Sequence, residues 1–264
     1  MEYIVKGLDV LVYEKDFNLD QTLDCGQAFR WSKTETGFKG FFYNRFLELE
    51  EKDGAIIFKN TSQDDFLEIW KDYFDFDKDY DKLKKIFFKD DTLKKACEYA
   101  YGIRLLKQNS WETLCSFIIS QNNNIPRIKG IINRLCEKFG CFPDEKKLAI
   151  CKVEDLEFLK AGFRTKYILD AAKKVASCEI DLSKIKSSDI NFGRKELLKI
   201  YGVGPKVAEC TLLFGMYQTE AFPIDVWIKK ALDIYYPLGF PAFVIEKGIA
   251  QQYLFHYIRN NNEI

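Results

Sequence analysis

The sequence predicts an α+β protein: a small N-terminal α/β domain with antiparallel sheet over residues 1–95, then a larger all-helical domain over residues 96–264. Three observations carry that expectation. Alternating and aromatic-rich runs separated by turn signals crowd into the first part of the chain. After Leu93 the apolar period changes to that of helices. The chain has 264 residues, of which 47% are hydrophobic and 16% aromatic, enough to bury a sizeable core in one large or two small domains.

The first strands read from Phe38-Lys39-Gly40-Phe41-Phe42-Tyr43 and from Arg45 to Glu50; Asp53-Gly54 is a turn pair, and Ala55-Ile56-Ile57-Phe58 follows as another strand. The acidic stretch Asp72 to Asp81 reads as a loop or helix end near a subdomain boundary. Ser110 reads as the N-cap of a helix in which Trp111, Leu114, Cys115 and Ile118 recur at helical spacing. The polar run Gln121-Asn122-Asn123-Asn124 breaks it, and Pro126 is expected at the next helix's first position. There Ile128, Ile131, Ile132, Leu135 and Phe139 share a face, and Gly140 is the stop. Further helices are expected near 153–160, 165–177, 194–200, 205–216, 226–235 and 243–260. No internal repeat or low-complexity tail interrupts this order.

Composition excludes several function classes. The 40 basic residues balance 40 acidic ones, yet residues 1–96 are net −5, residues 97–264 net +5 and the stretch 160–206 net +6. An anionic partner is therefore expected on the second half. The eight cysteines form no C-x-x-C pair, which argues against a zinc ribbon or thioredoxin-like site. The single histidine, His256, argues against a serine-protease-type triad or a two-histidine zinc site, so chemistry falls to Lys, Asp, Glu, Cys or backbone groups. No apolar run approaches the ~20 residues of a membrane span, and Met1 to Lys6 show no signal-peptide pattern. The expectation is an intracellular protein, in the cytoplasm and nucleoid if the source is a prokaryote.

The most informative stretch is Leu197 to Ala208, in which a helix ends, Gly202-Val203-Gly204 turns, and Pro205 opens the next helix. Glycines let the turn's N–H groups approach an oxygen, and the helix start adds donors, so the turn can seat a phosphate or serve as a plain hairpin turn. Lys206 stands in the positive end of that helix's dipole, which disfavours its ammonium form. A neutral amine can attack an anomeric carbon and form a Schiff base. Asp225, nineteen residues beyond, follows Phe222-Pro223-Ile224 and precedes an apolar helical run; a carboxylate there can stabilise developing positive charge or simply cap the helix.

These residues resemble the helix-hairpin-helix DNA glycosylase superfamily, and within it the 8-oxoguanine DNA glycosylase branch. Four further stretches carry the likeness: Gly26-Gln27-Ala28-Phe29-Arg30-Trp31, Gln121 to Ile125, Gly162-Phe163-Arg164, and Gln251 with Phe255. Each is weak alone; together, in family order over residues 25–255, they are specific. The resemblance implies a helix-hairpin-helix over about 194–216 whose Gly202, Val203 and Gly204 hold DNA phosphate. It implies Lys206 as nucleophile and Asp225 as its electrostatic partner on a flipped nucleotide. The carbonyl of Gly26 would accept the extra N–H of 8-oxoguanine, Gln251 would read the Watson–Crick edge, and Phe255 and Cys210 would sandwich the base. Cys210 lies four residues after Lys206, on one helix face, and an ordinary core cysteine is its rival reading. Asn122, Arg127 and Arg164 would fill the gap and bind the orphaned cytosine, with Phe163 as wedge. The resemblance further implies a structural monovalent or calcium cation on the carbonyls of Leu198, Ile200 and Val203, no required cofactor, and a monomer acting on duplex DNA that contains 8-oxoguanine, away from membranes.

Phe163 and Trp227 depart from the Tyr and His usual in animal members; they bear on strictness for cytosine and on the phosphate clamp beside Asp225. The iron–sulfur branches add four cysteines after the Asp, whereas no cysteine follows Cys210 here. The remaining alternatives are a glycosylase for another damaged base and a non-catalytic hairpin module, which would need the glycine turn but not Lys206, Asp225 or the Gly26 motif.

Overall fold

A computed structural model describes residues 1–261. In chain order it places β1 (Glu2–Lys6), β2 (Asp9–Tyr13), α1 (Leu19–Leu23), β3 (Trp31–Lys33), β4 (Gly37–Phe42), β5 (Arg45–Lys52) and β6 (Ala55–Lys59). A helical run follows, made of α2 (Gln63–Asp65), a π-turn and α3 (Lys71–Tyr73), then α4 (Tyr80–Phe87) and α5 (Asp91–Tyr99). Next come α6 (Ser110–Ser120), α7 (Ile125–Phe139), α8 (Glu145–Ala149), a 3₁₀ turn (Glu154–Leu159), α9 (Arg164–Ala176), α10 (Leu182–Ser187) and α11 (Ile190–Leu197). The hairpin helix α12 (Pro205–Cys210) runs into a π-turn (Thr211–Gly215), and α13 (Val226–Tyr235) and α14 (Lys247–Asn260) follow. The α+β class expected from the sequence holds. The chain packs as two units: Met1–Lys107 with the chain from Ile224 onward, and Gln108–Pro223.

In the first unit the strands form one antiparallel sheet in the order β1-β2-β6-β5-β4-β3. Inward residues alternate as a half-buried sheet requires: Val10 and Val12 on β2, Leu47 and Leu49 on β5, all at most 1% exposed. They meet an aromatic core of Trp31, Phe38, Phe58, Phe66, Trp70 and Phe74. Each such ring contributes about 1.5–3 kcal/mol on burial. Trp31 keeps its indole N–H satisfied by the Tyr73 hydroxyl at 2.7 Å. Beneath lies a buried ionic knot: Arg104 donates to the Asp16 carboxylate at 2.6 Å and to the Asp75 carbonyl at 2.7 Å, with Lys84 on the other Asp16 oxygen. α14 packs against α5 and α13 within this unit, and Tyr253 anchors it by donating to the Ile103 carbonyl at 3.1 Å.

In the second unit α6 is the central helix. The sequence pattern expects one apolar face, but Thr113, Ser116, Phe117 and Ile119 are buried as well as Trp111, Leu114, Cys115 and Ile118. The N-cap is Asn109, which accepts the Glu112 N–H at 2.8 Å; Ser110 is one residue inside and gives its hydroxyl to the Gly215 carbonyl at 2.7 Å. Pro126 takes the second rather than the first position of α7, since Asn124 is the cap and accepts the Arg127 N–H at 2.9 Å. Gly140 ends α7 in the left-handed region at φ +76°, as expected of a stop glycine.

Candidate active site

In the second unit the hairpin takes the form its sequence dictates. α11 ends at Leu197, the turn passes through Gly202 at φ +80°, and Gly204 is the cap before Pro205. The two glycines are not equivalent. A Cβ at Gly202 would lie 2.3 Å from the Tyr167 ring, so that position is closed by packing as well as by backbone sign. Gly204 lies in an extended conformation, φ −98°, and a Cβ there meets nothing within 4 Å. Gly204 therefore supplies the open approach to the turn.

Lys206 is half-buried in the first turn of α12, with Nζ 5.2 Å from the ring centroid of Phe117 on α6. Phe117 in turn stacks on Phe214 at 5.2 Å and 14°. Cys210 is 2% exposed, one turn further along α12. Glu209, from the same helix, holds Arg194 through both carboxylate oxygens at 2.5 and 3.1 Å, and also takes the Phe222 N–H at 2.8 Å. That contact ties Phe222 to the lysine's helix.

Arg164 is 3% exposed and is already well used. Its guanidinium donates to the carbonyls of Ala161 at 3.1 Å and Asn122 at 2.8 Å, and twice to that of Gln121. Four of the five guanidinium donors thus face protein, and they shape the Asn loop, where Asn122 sits at φ +46°. Burial first, and then the neighbouring Arg127 charge, hold Arg164 below the usual arginine range. Arg127 is exposed. Phe163, 50% exposed, lies under the Arg164 guanidinium at 4.4 Å. The structure thus brings Asn122, Arg164 and Phe163 together, with Arg127 beside them.

In the first unit Gly26 has φ +90°. Its loop is pinned by buried Gln27, which donates to the carbonyls of Thr22 at 2.9 Å and Arg104 at 2.8 Å and accepts the Leu106 N–H at 2.9 Å. Cys25 reaches the Gln252 amide oxygen of α14 at 3.9 Å, and Gln252 donates to Oε1 of Gln251 at 2.6 Å. Gly26 and Gln251 are therefore joined through their chain neighbours, and the Gln251 amide has a set orientation. Phe255, half-buried, lies one turn on, 5.8 Å from the Arg259 guanidinium carbon. Asp225 is half-buried and caps α13, taking the N–H groups of Trp227 at 3.0 Å and Ile228 at 2.8 Å on Oδ1. Trp227 carries Lys230 over its ring at 5.3 Å.

Comparison with known proteins decides the family. Residues 9–114 match the 8-oxoguanine DNA glycosylase N-terminal domain, and residues 115–239 match the helix-hairpin-helix–GPD superfamily of base excision DNA repair proteins. A Saccharomyces cerevisiae N-glycosylase/DNA lyase is 30% identical over 259 residues, covering 83% of this chain and 68% of the relative. The chain belongs to the 8-oxoguanine DNA glycosylase family. Among solved structures it is similar to MBOgg1 in complex with a low-affinity DNA ligand, at 40% identity, TM-score 0.93 and full coverage of both chains. It is also similar to the Clostridium acetobutylicum 8-oxoguanine glycosylase/lyase in complex with duplex DNA containing cytosine opposite 8-oxoguanine, at 37% identity, TM-score 0.90 and 99% coverage of each.

The resemblance read from the motifs is thereby confirmed for this family member. Sequence reasoning missed Phe117, Glu209 and Gln252, which support Lys206, the Phe222 segment and Gln251. Only the Gln251-Gln252 pair left a local signal. Among the described residues no group of three or more His, Cys, Asp or Glu side chains could hold a metal, and no helix is long and apolar enough to cross a membrane.

Proposed function

We propose that this family member is a bifunctional base-excision repair enzyme, a DNA glycosylase and abasic-site lyase. It flips 8-oxoguanine from duplex DNA, cleaves its N-glycosidic bond with a Schiff-base lysine and nicks the abasic strand by β-elimination. The relatives named N-glycosylase/DNA lyase and the DNA-bound 8-oxoguanine glycosylase/lyase structure support the activity and the substrate. The observation that carries the chemistry is Lys206 in the first turn of the helix that follows the open Gly204 turn.

In this reading the neutral Lys206 amine attacks C1′ of the flipped nucleotide. The C1′–N9 bond breaks and its electron pair leaves with the base, which ends with the proton that the attacking nitrogen sheds. The nitrogen lone pair then expels O4′ from C1′, O4′ takes up a proton from water, and the opened sugar is a protonated Schiff base. Loss of a C2′ proton then expels the 3′-phosphate, leaving an unsaturated sugar on the 5′ side. Asp225 stabilises the positive charge that develops on the sugar. Gly26 and Gln251 read the lesion base, Phe255 and Cys210 flank it, and Asn122, Arg127, Arg164 and Phe163 occupy the gap and the opposite base. Gly202, Val203 and Gly204 seat the phosphate.

A structural cation on the carbonyls of Leu198, Ile200 and Val203 belongs to the same reading. Ile200 accepts the Val203 N–H at 3.0 Å and keeps a second lone pair, and an all-oxygen set suits a hard ion. The Lys174 ammonium on the intervening Lys199 carbonyl, at 2.6 Å, favours a monovalent ion over calcium. The substrate assigns the enzyme to genomic DNA, hence to the cytoplasm and nucleoid in a prokaryote.

The test is borohydride trapping on duplexes carrying 8-oxoguanine, uracil, an alkylated purine or an oxidised pyrimidine. The expected result is a trapped adduct favouring 8-oxoguanine, abolished in Lys206→Gln, which still binds lesion DNA. Trapping at wild-type yield in Lys206→Gln, or preference for another lesion, overturns the reading.

A further inference from the structure

Tyr167, Asp170 and Lys174 lie at i, i+3 and i+7 on α9, one stripe of the helix, and all three engage the hairpin. The Tyr167 ring meets that of Tyr201 edge-on, with centroids 5.0 Å apart at 88°. Asp170 accepts the Tyr201 N–H at 2.7 Å, and Lys174 donates to the Lys199 carbonyl at 2.6 Å. The Tyr167 ring also occupies the space that a side chain at position 202 would need.

Tyr167 faces the wedge as well. Its ring lies 5.5 Å from that of Phe163 at 62°. Phe163 precedes α9 with no side-chain cap, half its surface is exposed, and its neighbours in ring contact are Tyr167 and the Arg164 guanidinium. One aromatic side chain thus touches both the residue placed in the base stack and the turn placed on the backbone.

We propose that Tyr167 is a positioning residue that holds the Phe163 wedge and the Gly202–Gly204 turn in one register. The proposal rests on the glycosylase reading above. Opening a base stack costs energy, and phosphate binding can drive it only if the two parts move together. A ring fixed on both sides transmits that strain, whereas a small flexible side chain would let the wedge rotate away. The structure gives the Tyr167 hydroxyl no hydrogen bond among the described residues, so the ring and not the hydroxyl does this.

The experiment compares wild type with Tyr167→Phe and Tyr167→Leu in three measurements: single-turnover excision of 8-oxoguanine, fluorescence of 2-aminopurine placed beside the lesion as a signal of unstacking, and borohydride trapping on a single-stranded oligonucleotide with a preformed abasic site. Tyr167→Phe should match wild type. Tyr167→Leu should excise about tenfold more slowly or worse, with a weaker 2-aminopurine signal and unchanged single-strand trapping. Asp170→Ala, which frees the Tyr201 N–H, should show the same pattern and serves if Tyr167→Leu fails to fold. Wild-type excision and fluorescence in Tyr167→Leu and Asp170→Ala overturn the proposal. So does an equal loss of single-strand trapping, because that is damage to the lysine's helix. If wild type itself excises no 8-oxoguanine, the glycosylase reading fails, and the fluorescence arm still judges Tyr167.

Discussion

Oδ1 of Asp225 accepts the N–H of Ile228 at 2.8 Å. With the Trp227 N–H on the same oxygen, the carboxylate is a working helix cap, and the proposed electrostatic role has to be separated from that capping. Asn caps as well as Asp does but carries no charge. Asp225→Asn should therefore keep the fold and lesion affinity while slowing single-turnover excision by ~10²-fold or more. Rapid-quench kinetics beside a binding titration check this; a rate within a few-fold of wild type would reject the electrostatic role.

Arg127 and Arg164 should separate. Exposed Arg127 has little structure to hold, so Arg127→Ala should narrow the difference in excision between 8-oxoguanine paired with cytosine and with other bases, at unchanged melting temperature. Arg164→Ala should narrow it too and also destabilise the protein by about 1–3 kcal/mol, because the Gln121 and Asn122 carbonyls lose their donor. Excision assays on all four pairings decide; equal losses across them would mean contact with phosphate alone.

Gly204→Val should fold, since the backbone there is extended and a Cβ meets nothing within 4 Å. It should bind lesion and undamaged duplex more weakly, because the added side chain fills the open approach. Wild-type affinity should fall with salt as about 0.9 counterion is released per phosphate contact. Titrations at several salt concentrations, with circular dichroism as fold control, test both statements; unchanged affinity of a folded variant removes the hairpin from the interface.

Burial pushes the Asp16 carboxyl up, but the Arg104 guanidinium, a hydrogen bond with Glu14 and the Lys84 charge outweigh it and hold it below the usual range. A depressed folded value means the stabilisation is complete above the unfolded carboxylate value near 3.9 and is lost as pH falls through the folded one. The wild-type melting temperature should therefore include an Asp16 contribution that fades only below about pH 4. Asp16→Asn, which leaves Arg104 and Lys84 buried without their anion, should cost about 3–5 kcal/mol at neutral pH and flatten the acid dependence. Calorimetry across pH 2–8 measures both, and equal melting temperatures for the two proteins at pH 7 would contradict the assignment.

What was legible in the sequence is what neighbours along the chain decide. The buried stripe of α7, its Gly140 stop, the Gly-Val-Gly hairpin and the strands around Asp53-Gly54 follow from side-chain period, left-handed backbone and turn chemistry, all within a few residues. The local pattern points to Ser110 as the cap of α6, yet Asn109 caps it, because the Ser110 hydroxyl is taken by the Gly215 carbonyl, 105 residues away. β1 went unread because both its faces are largely exposed and no alternation marks it.

The sequence by itself determined the α+β class and the family and supplied the residues of the proposed site, since those rest on local pattern and on motif order along the chain. Tertiary structure alone decided which residues support them. Nothing in Gly202-Val203-Gly204 tells its two glycines apart; the Tyr167 ring closes one and leaves the other open. Nothing near Lys206 announces Phe117, and nothing near Phe222 announces Glu209. Likewise, the chain from Ile224 onward joins the sheet-bearing unit through α14 on α5. Such contacts depend on which surfaces meet after the chain has folded back, and a packing preference between residues far apart in sequence leaves no periodic trace in either segment.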